Sequence, residues 1–176
     1  MSVFSHNPIE TTPARLAWIA CMVIVLGAGC AGSSSTSGSS SISDTRVTPL
    51  QGGAARPLSA FRGKPLVVNL WAPWCTPCIR EMPAFDKVHQ DLGKRVTIVG
   101  ITDGLDRAGA KRLAKSTGVT YPLLIDDGGN LQADLGVVNL PTTVFLDADG
   151  KVIRRHAGAF TAESLRKTID SLYDLD

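Results

Sequence analysis

A pair of cysteines at the end of an apolar run constrains this chain more than any other feature. The run 66–71 (LVVNLW) has the length and composition of a buried strand, and Cys75 and Cys78 follow it after three residues. A helix beginning after Cys75 would place its free backbone N–H groups and positive dipole end beside that sulfur. Both favour the thiolate, which is the attacking form in disulfide exchange. The sequence therefore predicts a strand–CxxC–helix unit suited to reversible disulfide chemistry.

The two cysteines receive different roles in this prediction. Cys75 is the expected nucleophile, because it lies nearer the helix N-terminus and should be more exposed. Cys78, three residues later on the same helix face, is the expected resolving thiol. Pro77 suits the first helical turn, where its missing N–H costs little, and Trp74 is expected on the rim of the groove.

Zinc binding and a structural disulfide are the alternatives for the CxxC pair. A structural zinc site normally needs four ligands, usually with a second ligand pair. Of the other cysteines, Cys21 lies inside an N-terminal apolar stretch and Cys30 sits at its end, and His89 and His156 are isolated. We therefore expect no metal and no bound cofactor. A structural disulfide stays open, although so small a loop restricts the unfolded chain only weakly.

The N-terminus has the pattern of an export signal. The apolar run 16–26 is shorter than the ~20 residues of a membrane-spanning helix and has the length of a signal-peptide core. It ends in Gly27-Ala28-Gly29-Cys30, which resembles the bacterial lipobox, although Gly27 stands where an aliphatic residue is usual. We predict a lipoprotein-type signal peptide over 1–29 and lipidation of Cys30. Cleavage near Ala31 and an uncleaved anchor are the alternatives, and each exports the domain.

The rest of the chain divides into a linker and one domain. Residues 30–45 are rich in serine and glycine and predict a flexible tether, and 46–176 has the size of one domain. The formal net charge is only +2, and no basic run alternates with aromatic residues. Nucleic-acid binding therefore has no support.

Strands and helices alternate along the predicted domain. Buried or alternating runs predict strands at 66–71, 95–102, 123–126, 142–146 and 152–155. Helical periodicity and capping residues predict helices at 76–92 with a kink at Pro83, at 106–116, near 130–135, and after Thr161. This order predicts an α/β fold with a mixed sheet and helices on both faces.

The order of elements and the motifs together resemble the thioredoxin-fold superfamily, and within it the TlpA/ResA-like exported thiol–disulfide oxidoreductases. Residues 71–78 (WAPWCTPC) are similar to the WAxWCxPC active site, and Leu140-Pro141-Thr142 matches the cis-proline loop that faces the CxxC in this fold. The resemblance covers 48–172. It implies a three-layer α/β/α domain with a central mixed sheet and an N-terminal extension. It also implies a redox-active disulfide Cys75–Cys78, with Leu140 offering its backbone to an extended substrate.

Two further positions separate this chain from ordinary thioredoxins. Cytoplasmic thioredoxins carry a buried aspartate six residues before the first active-site cysteine, where this chain has Asn69. Because asparagine does not titrate, the proton of Cys78 needs another acceptor. Glu81 matches an acidic residue that many of these proteins carry and is one candidate, and an ordered water is another.

The resemblance also implies a function. We expect a monomer, tethered by lipid to the outer face of the bacterial cell membrane, that reduces protein disulfides such as those of apocytochrome c. Its electrons would come from a membrane thiol transporter. The alternatives are an exported oxidase or isomerase that forms disulfides, and a tethered thioredoxin-like binding module without catalysis.

Overall fold

The structure is a computed structural model that describes residues 42–175, which form one mixed sheet and four helices. The strands are β1 (Arg46–Pro49), β2 (Arg56–Pro57), β3 (Leu66–Leu70), β4 (Thr97–Thr102), β5 (Leu123–Asp126), β6 (Thr142–Leu146) and β7 (Val152–Ala157). The helices are α1 (Thr76–Leu92), α2 (Arg107–Thr117), α3 (Leu131–Asp134) and α4 (Ala162–Tyr173). Two short 3-10 helices, Ile42–Asp44 and Leu58–Phe61, belong to the segment ahead of β3.

The connections between strands decide where the helices lie. The sheet order is β2-β1-β5-β4-β3-β6-β7, with β3, β4 and β5 parallel and the remaining neighbours antiparallel. Two successive crossovers in one direction, through α1 and α2, place both helices on one face. The connection from β5 back to β6 runs the other way and places α3 on the opposite face. The strand order thus reverses at β3, whose carboxyl end is where α/β sheets commonly form their sites.

Two hydrophobic clusters fill the space on either side of the sheet. One joins buried residues of α1, α2 and α4 to alternate residues of the strands, and the other joins α3 and the segment before β3 to the opposite strand faces. Val67 of β3 and Trp71, which follows the strand, belong to the first cluster, whereas Leu66, Val68 and Leu70 belong to the second. The central strand is therefore buried on both sides, as the apolar run predicts, and the expected three-layer α/β/α architecture is confirmed.

Most of the predicted elements are present with small changes at their ends. The helix over 76–92 is confirmed and continues on both sides of Pro83. The hairpin turn before β7 has Gly150 at φ 86°, and α4 begins with a capping box between Thr161 and Ser164.

The N-terminal extension contains structure that the sequence did not predict. Strands β1 and β2 form the edge beside β5, although each ends in a proline, Pro49 and Pro57. Residues 42–45, which the sequence assigns to the tether, contain a 3-10 turn in which Ile42 packs against the second cluster. An apolar residue at the start of the domain gains burial by packing there.

The predicted signal peptide over 1–29, Cys30 and the tether as far as residue 41 lie outside the described residues. Within residues 42–175, no helix combines the length and the apolar character needed to cross a bilayer.

Candidate active site

The two cysteines form a disulfide at the start of α1. The Cys75–Cys78 bond joins residues whose Cα atoms are 5.3 Å apart, and Cys75 is the N-cap residue of the helix. Its Sγ accepts a hydrogen bond from the backbone N–H of Cys78 at 3.3 Å. Pro77 lies in the first turn, as predicted. The helix terminus therefore directs a donor at the sulfur of Cys75, which favours the thiolate once the bond is reduced.

The exposure of the two sulfurs is more alike than the sequence suggests. Cys75 is 4% exposed and Cys78 is fully buried. The expected order is retained, because Cys75 is the more accessible of the two. A partner must nevertheless come into close contact with the surrounding loop to reach it.

The loop that contains Pro141 lies beside the loop that contains the disulfide. Thr142, the first residue of β6, pairs with Leu70, the last residue of β3. The chain therefore enters β6 through Pro141 next to the point where it leaves β3 toward Cys75. The Leu140–Pro141 peptide bond is cis, as the resemblance implies, and Leu140 is half-buried between the two hydrophobic clusters.

Glu81 is a buried carboxyl one helical turn after Cys78. It is 2% exposed, with Oε1 accepting from Asn69 Nδ2 at 2.7 Å and Oε2 accepting from the Phe160 backbone N–H at 3.0 Å. Burial raises the pKa of Glu81 from 4.5 to about 7, although both hydrogen bonds act to lower it. A carboxyl with this pKa exchanges a proton near neutral pH, which suits a general acid or base.

Asn69 and Glu81 form one buried pair, because the amide of β3 and the carboxyl of α1 face each other across the sheet–helix interface. The sequence names both residues but does not join them. It also misses Phe160, whose N–H reaches Glu81 across 79 residues of chain. One signal for the burial of Glu81 is present in the sequence, since Phe85, Val88 and Leu92 continue from it at spacings of four, three and four.

The rim of the site is apolar. Four large hydrophobic side chains are exposed among the described residues, and three of them belong to loops at the carboxyl end of β3: Trp74 (72% exposed), Leu105 (89%) and Val138 (89%). Trp74 precedes Cys75, Leu105 follows β4, and Val138 precedes the Pro141 loop. Because β4 and β6 flank β3, these three loops lie at the same end of the sheet as the disulfide. The expectation that Trp74 lies at the rim agrees with this arrangement.

Metal-binding geometry is not found in the described part of the chain. Residues 42–175 contain no group of three or more histidine, cysteine, aspartate or glutamate side chains placed to hold an ion. The two cysteines are joined to each other instead.

Sequence comparison with known proteins agrees with a thiol–disulfide site at Cys75 and Cys78. The sequence profile of the Redoxin family matches residues 36–173. The thiol–disulfide oxidoreductase ResA of Geobacillus thermodenitrificans is 32% identical over 130 residues, covering 73% of this chain and 74% of ResA.

Solved structures of a disulfide oxidoreductase and of a thioredoxin are also similar to this domain. A secreted disulfide oxidoreductase of Mycobacterium tuberculosis, homologous to E. coli DsbE, aligns with a TM-score of 0.63 at 27% identity, covering 73% of this chain and 96% of that protein. The exposed lipoprotein thioredoxin Etrx1 of Streptococcus pneumoniae aligns with a TM-score of 0.62 at 25% identity, covering 73% and 98%. With a disulfide at the N-terminus of α1 and relatives that match over nearly the whole domain, the chain belongs to the redoxin family and is a thiol–disulfide oxidoreductase of the ResA and DsbE type.

Proposed function

We propose that this protein reduces disulfide bonds of other proteins outside the cytoplasm, with Cys75 as nucleophile and Cys78 as resolving thiol. The observation that carries the proposal is the position of Cys75 at the N-cap of α1, where a backbone N–H donates to its sulfur. Proteins with exposed thiols or disulfides are the partners that membership of this family implies. Apocytochrome c is the proposed substrate, and a membrane thiol transporter is the proposed electron donor.

The exchange proceeds in two steps that conserve electrons. The thiolate of reduced Cys75 attacks one sulfur of the substrate disulfide, whose S–S bond breaks and releases the first substrate thiolate. The thiolate of Cys78 then attacks Cys75, breaking the mixed disulfide and releasing the second substrate thiolate. Two electrons pass from the protein dithiol to the substrate, and the two substrate thiolates take up two protons. The Cys75–Cys78 disulfide seen here is the product state.

Glu81 is the proposed acceptor of the Cys78 proton. The two residues lie one turn apart on α1, both are buried, and Asn69 at the neighbouring position of β3 cannot titrate. A carboxyl with a pKa of about 7 is ionised in part at neutral pH and can accept a proton there. Asn69 supports this role by donating to the ionised carboxylate.

The apolar rim supports a protein substrate rather than a small hydrophilic disulfide. Trp74, Leu105 and Val138 offer exposed apolar surface at the same end of the sheet as a cysteine that is itself almost buried. An extended polypeptide segment would bury this surface and hydrogen-bond to the backbone beside Pro141.

The reduction potential of the Cys75–Cys78 pair tests the direction of electron flow. We expect a value near that of thioredoxin, about −270 mV, measured by equilibration of the purified domain with thiol redox buffers. A value near about −120 mV would identify a disulfide-forming oxidase and overturn the reductase proposal.

Cys75→Ser should abolish turnover, whereas Cys78→Ser should accumulate the mixed disulfide with substrate. Full cellular function of Cys75→Ser would indicate a binding module instead.

Export and anchoring are proposed from the N-terminal sequence. The support is the apolar run 16–26, the lipobox-like residues ending in Cys30, and the likeness to a lipoprotein thioredoxin. We expect the full chain to fractionate with membranes and Cys30→Ala to move to the soluble extracytoplasmic fraction. Unchanged membrane association of Cys30→Ala would contradict lipidation.

A further inference from the structure

Several buried polar groups gather on one face of the sheet near Glu81. Among the described residues, seven buried side-chain atoms have no hydrogen-bond partner there, and four of them belong to this face: Asn69 Oδ1, Trp71 Nε1, Tyr121 OH and Thr143 Oγ1. All four side chains are at least 98% buried. Buried polar atoms normally have partners, because leaving one unpaired costs the full desolvation of that atom. A concentration of such atoms beside one buried carboxyl therefore calls for an explanation.

The strand register places Thr143 directly opposite Asn69. The two residues are Cα partners in the antiparallel pair of β3 and β6, so their side chains project from the same face of the sheet. Directly opposed residues have Cβ atoms about 5 Å apart, which is within reach of a water-bridged hydrogen bond. Asn69 Oδ1 only accepts and a threonine hydroxyl can donate, so the two unpartnered atoms are complementary.

The other two groups lie on the opposite side of Asn69. Its partner on β4 is Gly100, and a Cβ added there would lie 3.0 Å from Trp71 Nε1 and 3.1 Å from Tyr121 Cε2. The indole and phenol rings therefore meet above Gly100. On the β6 side of Asn69, the residue directly opposite is Thr143, whose hydroxyl can donate a hydrogen bond.

We propose that one bridging water links the Thr143 hydroxyl to Asn69 Oδ1, and so holds the amide in the orientation that directs Nδ2 at Glu81. Thr143 is then a positioning residue that acts on the buried carboxyl through Asn69. The amide has two ends with opposite polarity, and only one orientation gives Glu81 a donor. Fixing the oxygen end consequently fixes the nitrogen end. This inference rests on the proposed role of Glu81 in the exchange reaction.

The titration of Glu81 in the oxidised protein tests the proposal. The readout is the carbon-13 shift of the Glu81 carboxyl against pH, identified by its absence in Glu81→Gln. The disulfide keeps Cys75 and Cys78 from titrating. Among the titratable side chains that the structure describes, Tyr121 interacts electrostatically with Glu81, and His156 stacks on Phe160, whose N–H donates to the carboxyl. His156 is the partner of Thr143 on β7 and stacks on Phe160, so its ring resonances should be followed in the same titration.

Thr143→Val removes the hydroxyl and retains the shape of the side chain. Because the Asn69 hydrogen bond lowers the pKa of Glu81, losing its support should raise the carboxyl midpoint by about half a pH unit, a threefold gain in proton affinity. Thr143→Ser should restore the wild-type midpoint. Thr97→Val, at the opposite end of the β3–β4 pair, is the matched control and should leave the midpoint unchanged.

An unchanged midpoint in Thr143→Val overturns the proposal, as does a shift that appears in Tyr121→Phe and not in Thr143→Val. If the valine variant does not fold, Thr143→Ala and Thr143→Ser differ by the hydroxyl and provide the same comparison. The titration needs no turnover. A protein without oxidoreductase activity would therefore contradict the proposed function and still leave the role of Thr143 measurable.

Discussion

Replacing Glu81 by glutamine should change how the stability of the folded protein depends on pH. Burial raises the pKa of this carboxyl from 4.5 to about 7 in the folded state. The difference corresponds to about 3 kcal/mol, because one pH unit is about 1.4 kcal/mol. Since Glu81 is almost fully buried, solvent does not screen this effect appreciably.

The direction in which stability changes with pH follows from whether the folded or the unfolded state holds the Glu81 proton. Below about pH 4.5 the carboxyl is protonated in both states, and the full stability is present. Between about pH 4.5 and pH 7 the unfolded chain releases the proton while the folded protein retains it, so the free energy of unfolding falls as pH rises. Above about pH 7 the whole of this contribution, about 3 kcal/mol, is lost.

The glutamine variant should lack this decline. Its carboxamide does not titrate and has nearly the same shape, and rotation of the Asn69 amide would give the new side-chain N–H an acceptor. A difference in hydrogen-bond strength between the glutamate and the glutamine would change the free energy of unfolding of the variant by the same amount at every pH. The difference between wild type and Glu81→Gln should therefore change by about 3 kcal/mol across the window, in favour of the variant at high pH.

Guanidinium unfolding of the oxidised protein at several pH values between about 4.5 and 8 measures this difference. His156 acts in the opposite direction, since burial and Arg154 lower its pKa, but it is present in both proteins and cancels. Glu163→Gln removes an exposed carboxyl of α4 and should retain the wild-type pH dependence. If the free energy of unfolding followed pH in parallel for wild type and Glu81→Gln, Glu81 would not be a buried carboxyl that retains its proton in the folded state.

Two further predictions concern the rim and the sheet. Leu105→Asn should raise KM for an unfolded disulfide-containing protein several-fold and leave the reduction of a small hydrophilic disulfide unchanged. The matched control is Ile153→Asn, on edge strand β7. Equal effects of Leu105→Asn on both substrates would contradict a contact between the rim and the protein substrate. Gly100→Ala should lower the free energy of unfolding by about 1–3 kcal/mol, because the added Cβ would lie 3.0 Å from Trp71 Nε1 and 3.1 Å from Tyr121 Cε2, two buried rings that have little room to move. Gly128→Ala, where the nearest atoms are 3.7 Å away, should change denaturant stability by less than about 0.5 kcal/mol, and similar losses in both variants would show that crowding at Gly100 is not the cause.

The edge of the domain was the hardest part to predict from sequence. Strands β1 and β2 are four and two residues long and both contain proline, which local rules place outside central strands. Proline is tolerated here because this pair lies at the edge beside β5. The central elements were predictable because their signals are local: β3 and β4 are predominantly apolar runs, and α1 and α4 have capping residues and an apolar stripe.

Local sequence is enough to define the reactive unit of this protein. A strand, two cysteines at i and i+3 and a helix with proline in its first turn lie within some 30 residues, and near-neighbour geometry is enough to place Cys75 at the helix N-terminus. The environment of Glu81, in contrast, depends on the tertiary fold. Its partners are Asn69, 12 residues before it, and the backbone of Phe160, 79 residues after it, and Thr143 joins them through strand register. Burial and hydrogen bonding set the pKa of a carboxyl, and both depend on which distant segments pack together.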